Sequence, residues 1–419
     1  MICDINKQYK LPVEKIVYTI TDNGSNFVKA FKEFGVELRP IKECDSDDGS
    51  DSDSDSNDSI IALGPQFRSV TPRLSKHFPC ASHTLNLLAS TDFNKILNSS
   101  SQDIKDIHKR SFQRCTQLWN KCNRPKSAEV VNEVINASLI TPCITRWNSL
   151  YDSVTKLLQH KTNLAELCYR LKIPTILSEE VEYLEEYAKL MRPIAEAIDF
   201  LQGEKTMYFG YFIPTIVTLR IKLRRLEPAS FKYLSEISEK MQIALLKRFE
   251  KYFLIQSDAW DAVIAAISVP DIKLRFLKAL LETATTQTEE EVKKMFNTYV
   301  VKYGKIADDA TRVPPQTTQK TFLDFGEESN DISIQSGSTD SGNYLQETLL
   351  YLVERDATTS CLNKHQAIKN VFLKYNTPLP PSAPVERLFS FAGIVNRSRR
   401  QKLSDANFEM LVLRKANGG

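Results

Sequence analysis

Apolar residues recur at helical spacing through the long middle of this chain, from Leu85 to Tyr303, and this periodicity constrains the fold more than any other feature. Leu150, Val154 and Leu157 make one stripe, Ile216, Leu219, Leu223 and Leu226 a second, and Leu234, Ile237, Met241 and Leu245 a third. Steps of three and four residues put an apolar face on one side of a helix, and that face needs a neighbouring element to cover it. Only 13 of the 419 residues are glycine, too few for a fold dominated by tight turns. The spacing shows no fixed-period repeat of the solenoid kind. With 42% apolar residues, the chain has material for two or three domains and a sizeable core.

No apolar run approaches the roughly 18 to 20 residues that cross a bilayer. Met1 to Leu11 lacks the basic stretch and apolar stretch of a secretory signal. The chain therefore reads as soluble, with no membrane partner. Its eight cysteines are scattered, as reduced intracellular thiols are, and do not suggest a disulfide framework.

The first forty residues have another character. Ile16 to Thr21 is a β-branched run ending at Asp22-Asn23-Gly24, a strand closed by a turn. Ser25 then caps a helix whose buried stripe is Phe27, Ala30, Phe31 and Phe34. Glu43 to Asp58 follows with eight acids and no base, so the net charge of +3 becomes +11 over the rest of the chain, a balance that suits polyanion contact or simply a soluble surface. The tract predicts a disordered acidic loop over 43–60. Ser50 and Ser52 there have an acid three residues on, which suits an acidophilic kinase; the loop equally reads as a tolerated insertion.

A loose stretch at 307–343 reads as a flexible connector. Beyond it, four helices are expected, on Leu345, Leu349, Leu352 and Val353; on Ile368, Val371, Phe372 and Tyr375; on Val385, Leu388, Phe389 and Ala392, with Pro384 near the start and Gly393 able to end it; and on Phe408, Leu411 and Val412. Between the last two lies a basic knot of Arg397, Arg399, Arg400 and Lys402. It reads as a phosphate contact, or as a charged turn that serves as a nuclear import signal.

Two constellations bear on chemistry. Asp22, at the carboxyl end of a strand, suits Mg²⁺, which takes oxygen ligands; Asp-Asn-Gly is also an ordinary turn. Cys80 and His83 form a C-x-x-H that supplies two zinc ligands, or a thiolate and its base, or a structural anchor between sheet and helical body. A closed zinc site needs four ligands and no C-x-x-C is present, so zinc is not expected.

Taken together, TDNGSNFVKAF (21–31), FPCASHTLNLLAS (78–90), TRWNSLYD (145–152) and PSAPVERLFSFAGIVNRSRRQKLSDANFEMLVLRKAN (381–417) resemble the hAT superfamily of DNA transposases and their domesticated relatives, which include BED zinc-finger proteins. Weaker echoes between these blocks extend the resemblance over nearly the whole chain. It implies an α/β fold, mostly helical by residue count, in which an incomplete ribonuclease-H-like core is interrupted by a large all-α insertion domain. The corresponding division is 1–84 for the first part of the core, 85–306 for the insertion domain, 307–343 for the connector, and 344–419 for the rest of the core with the dimerisation region.

The resemblance also assigns roles. Asp22 and Glu386 match two of three catalytic carboxylates that hold Mg²⁺ or Mn²⁺. Arg146 and Trp147 match the Arg-Trp of the insertion domain, the tryptophan stacking on hairpin DNA; an ordinary core tryptophan is the other reading. Cys80 and His83 match the structural C-x-x-H, and Leu388, Phe389, Phe408, Leu411 and Val412 fall in the dimerisation region. The family's first aspartate lies on an earlier strand, and only Asp4 and Glu14 precede Asp22 here, neither well placed to replace it. The BED finger is likewise not matched. The expectation is a nuclear protein that forms a homodimer or higher oligomer and associates with double-stranded DNA, has no small-molecule substrate, and does not cleave strands; the alternative is a fragment of an active metal-dependent transposase.

Overall fold

The computed structural model describes residues 8–11, 16–22, 75–143, 148–203, 207–283, 287–304, 340–396 and 403–417. The acidic tract, the helix expected from Ser25 and residues 307–339 of the connector lie outside these.

The described chain is mostly helical. Strands β1 (Tyr18–Thr21) and β2 (Lys76–Pro79) pair in parallel, Tyr18 opposite Lys76 and Thr21 opposite Pro79. Helix α1 (Ala81–Leu87) leaves β2 and passes through a π-helical turn at Leu88–Asp92 into α2 (Phe93–Asn98). There follow α3 (Gln102–Cys122), α4 (Pro125–Ile135), α5 (Ser149–Leu158), α6 (Leu164–Leu171) and α7 (Ser178–Leu201). Next come α8 (Phe212–Arg224), α9 (Ser235–Arg248), α10 (Glu250–Phe253), α11 (Trp260–Ser268), α12 (Leu277–Leu281) and α13 (Glu289–Tyr303). The last four are α14 (Asp340–Val353), α15 (Gln366–Asn376), α16 (Ala383–Val395) and α17 (Asp405–Ala416). These four lie where the periodicity places them. Gly393 does not end α16, which continues to Val395; a Cβ there would meet nothing, so no packing demand acts at that position.

Two helices organise the body. The 24-residue α7 is touched by α1, α3, α5 and α8, and buries Tyr183, Leu184, Leu190, Ile194 and Ile198. Every residue of α11 from Asp261 to Ser268 is buried, as expected of a helix apolar on all sides, and it packs against α8, α13 and α15. One continuous apolar cluster runs from Phe78 on β2 to Tyr375 on α15, so the stretches divided at 84/85 and across the connector share a core. Phe78 stands edge-on to Phe209 (4.7 Å) and Phe212 (5.1 Å), tying the strands to the start of α8. Gly210 is required there: a Cβ would lie 2.5 Å from the Ala265 carbonyl oxygen, and the Gly210 N–H donates to Asn376 Oδ1 at 2.8 Å.

A buried carboxylate fixes the strands to this core. Asp261, on α11, accepts from the Tyr18 hydroxyl at 2.5 Å and the Tyr299 hydroxyl at 3.2 Å and pairs with Lys76. It thereby joins β1, β2, α11 and α13. Breaking such a group leaves its partners buried and unpaired, a cost of about 3 to 5 kcal/mol. Asp261→Ala should lower unfolding stability in urea by that order, whereas the exposed pair Lys240–Glu236 should be worth less than about 1 kcal/mol.

Candidate functional site

The site lies where the two strands end. The parallel ladder continues one step past β2, with the Cys80 N–H donating to the Thr21 carbonyl at 2.7 Å. Asp22 follows Thr21 directly and is exposed at that end of β1. Cys80 is itself fully buried and caps α1: its sulfur accepts from the His83 N–H at 3.3 Å, and its carbonyl from the Thr84 N–H (3.0 Å) and hydroxyl (2.9 Å).

The same sulfur receives the C-terminal segment. The Ser382 N–H donates to Cys80 Sγ at 3.2 Å, and the Ala81 N–H donates to the Pro380 carbonyl at 3.0 Å. Pro380 and Ser382 lead into α16, and the Ser382 hydroxyl donates to Glu386 Oε1 at 2.7 Å. Glu386, half-buried, is close enough to act on the thiol electrostatically. Residues 302 apart in the chain thus meet through one sulfur atom.

The electrostatics suit a structural thiol. Burial, the largest effect, pushes the Cys80 pKa up, the side chain and amide of Ser382 and the amide of His83 offset it in part, and the Glu386 carboxylate adds to the rise. Burial and the neighbouring carboxylate favour the protonated thiol, the less nucleophilic of its two forms. His77, opposite Thr19 in the ladder, places Nε2 2.7 Å from the Thr21 hydroxyl; burial, then the charge of Lys251, holds its pKa below the ordinary value.

Of the residues singled out in the sequence, Asp22, Cys80, His83 and Glu386 converge on this corner. His83 is half-buried, and its contact with Cys80 runs through its backbone amide. Among the described residues no three His, Cys, Asp or Glu side chains gather in a way that could hold a metal ion. Arg146, Trp147, Arg397, Arg399, Arg400 and Lys402 lie outside the described residues. In the dimerisation region α16 and α17 pack on each other. Phe389 is 70% exposed, Leu388, Phe408 and Leu411 are half-buried, and Val412 is buried.

Two residues inside the quoted motifs matter in ways the motifs did not announce. Ser382 is the link between Cys80 and Glu386. Asn148, in a left-handed conformation directly after the Arg-Trp pair, donates from Nδ2 to the Ala195 carbonyl (2.9 Å) and to Asp199 (2.8 Å), and so hooks the start of α5 onto α7. Asparagine tolerates that backbone region better than most residues, the one signal its sequence position carries.

A scan against protein-family models and a search of curated proteins both return no match for this sequence. No helix among the described residues is long and apolar enough to cross a membrane.

Cys80→Ala removes the acceptor of two amides at once, a loss of about 1 to 3 kcal/mol. Hydrogen exchange at the His83 and Ser382 amides should quicken while α7 stays protected. Unchanged exchange at both amides would show that the sulfur does not hold the corner.

Proposed function

We propose that this chain is a transposase-derived protein that self-associates through 344–419, associates with double-stranded DNA in the nucleus, and does not itself cleave strands. The observation that carries the reading is the corner at Cys80. Two carboxylates far apart in sequence, Asp22 after a parallel strand and Glu386 in a returning helix, are drawn toward one point by the Thr21–Cys80–Ser382 bonds. A ribonuclease-H-like core places its carboxylates by the same logic, on strand ends and on a helix that comes back to them. Parallel strands feeding a helical body support that fold assignment.

Asp22 and Glu386 would be the residues to hold Mg²⁺ or Mn²⁺. A two-metal centre stabilises both the attacking and the leaving oxygen of an in-line displacement and needs a carboxylate shared between the ions. Two carboxylates do not make that set, and no cleavage step is assigned to them. Their shared corner does favour one second reading, a fragment of an active transposase.

Self-association is supported by the packed helices α16 and α17. Val385 is 50% exposed, Phe389 70% and Met410 57%, a concentration of apolar surface that marks an association face. DNA association rests on the basic balance outside the acidic tract, with Arg146, Trp147, Arg397, Arg399, Arg400 and Lys402 as the proposed contacts.

In sedimentation equilibrium at micromolar concentration the chain should be a dimer or larger, and Phe389→Asp should shift it to monomer without lowering its unfolding midpoint. Binding to duplex DNA should weaken steeply with added salt, as counterion release requires. Incubation with hairpin DNA and Mn²⁺ should leave the strands intact. Cleavage abolished by Asp22→Ala would establish the active-transposase reading, and a wild-type monomer that ignores DNA would overturn both.

A further inference from the structure

A cavity of about 570 Å³ opens between the C-terminal half of α7, the start of α8 and the turn after α11. Its walls are mostly apolar, from Ala197, Phe200, Met207, Pro214, Leu219 and Ile272. This volume is within the range of sockets that take small organic ligands, roughly 300 to 1,000 Å³, and a few convergent polar groups in an apolar lining are the usual form of such sites.

Its charged groups differ in whether they are already matched. Glu196 accepts from Lys222 at 2.6 Å and from Arg192 at 2.9 Å, so its charge is compensated at that end. Asp271 is not matched in this way. Its carboxylate accepts from the Tyr211 hydroxyl, at 2.9 Å and 3.1 Å, and forms no ion pair among the described residues. Arg275 binds the Asp271 backbone carbonyl at 2.9 Å, leaving the carboxylate to the tyrosine. A carboxylate has about four acceptor positions, and one hydroxyl leaves most of them open.

Aromatic rings stand beside that carboxylate. Tyr211 meets Phe200 edge to face at 5.6 Å and stacks with Tyr208 at 5.9 Å, and Phe200, on the cavity wall, is 51% exposed. An aromatic face attracts a cation and accepts an apolar body. We infer that this cavity is a binding site for a small organic cation, an apolar or aromatic body bearing one ammonium group, with Asp271 taking the ammonium and Phe200 the body. The site lies apart from the corner at Cys80, and the inference does not depend on the transposase reading.

The test uses three probes of nearly the same shape: 2-phenylethylammonium, 2-phenylethanol and 3-phenylpropanoate, each titrated into the full chain and followed by saturation-transfer NMR. The ammonium probe should bind the wild type about tenfold more tightly than the alcohol, the worth of one charge-assisted hydrogen bond, and the carboxylate most weakly. Asp271→Asn should erase the preference for the ammonium while leaving alcohol binding in place. Phe200→Ala, at a half-exposed position that folding tolerates, should weaken the ammonium and alcohol probes alike. Equal binding of ammonium and alcohol by the wild type, a preference that survives Asp271→Asn, insensitivity to Phe200→Ala, or no binding of any probe at millimolar concentration would each overturn the assignment.

Discussion

The buried carboxylate of Asp261 is the constraint on which the rest of the structure depends. Four-residue strands in a pair are too short to be stable alone, since a two-stranded unit gains little from its own ladder. They persist because a charge inside the helical core reaches out to them. Tyr18 and Lys76 stand opposite each other in the β1–β2 register, and both end on Asp261. Desolvating a carboxylate is unfavourable unless it is paired and hydrogen-bonded, and here a lysine and two tyrosines meet that demand. The strands are thereby held at a fixed place on α11, and everything at their carboxyl ends inherits that position.

Cys80 is the first residue to profit from it. Because β2 is pinned, its last rung can continue into Cys80, and the cysteine can serve three segments at once: the end of β1, the start of α1 and the entry to α16. A sulfur is a weak acceptor, but it is large and polarizable, and it accepts from two amides, those of His83 at 3.3 Å and Ser382 at 3.2 Å. The Asp22 end of β1, bonded to the Cys80 amide, and the segment entering the helix that carries Glu386, bonded to the Cys80 sulfur, are neighbours through this residue. The proposed function rests on that adjacency, and the exposed face of α16 and α17 extends from the same helix.

Much of the helical body was legible in sequence. Ile216, Leu219 and Leu223, then Leu234, Ile237, Met241 and Leu245, are all buried where their spacing puts them, since helical periodicity is a local property. Leu150 departs from its stripe and is 39% exposed. The strand at 18–21 and its end at Asp22 were readable from β-branching and the turn residues that follow. The C-x-x-H could be read as an anchor, but its means could not: Cys80 acts through its sulfur on amides, one of them 302 residues away, and His83 meets that sulfur through its backbone amide. Asp261 was invisible for a related reason. In WDAVIAAIS it looks like one polar residue on an apolar helix, and nothing local says that its partners lie 243 and 185 residues upstream. Asp271 and Phe200 likewise acquire meaning only when the turn after α11 is laid against α7.

The return of the C-terminal segment to the strand ends is the central claim, and a cross-link tests it most directly. With the Ser382 amide 3.2 Å from Cys80 Sγ, a thiol introduced by Ser382→Cys should fall within reach of Cys80. After mild oxidation, peptide mapping should recover a disulfide joining the Cys80 peptide to the residue-382 peptide within one chain. A variant that stays fully reduced under those conditions, or that links only between chains, would contradict the corner and the functional reading built on it.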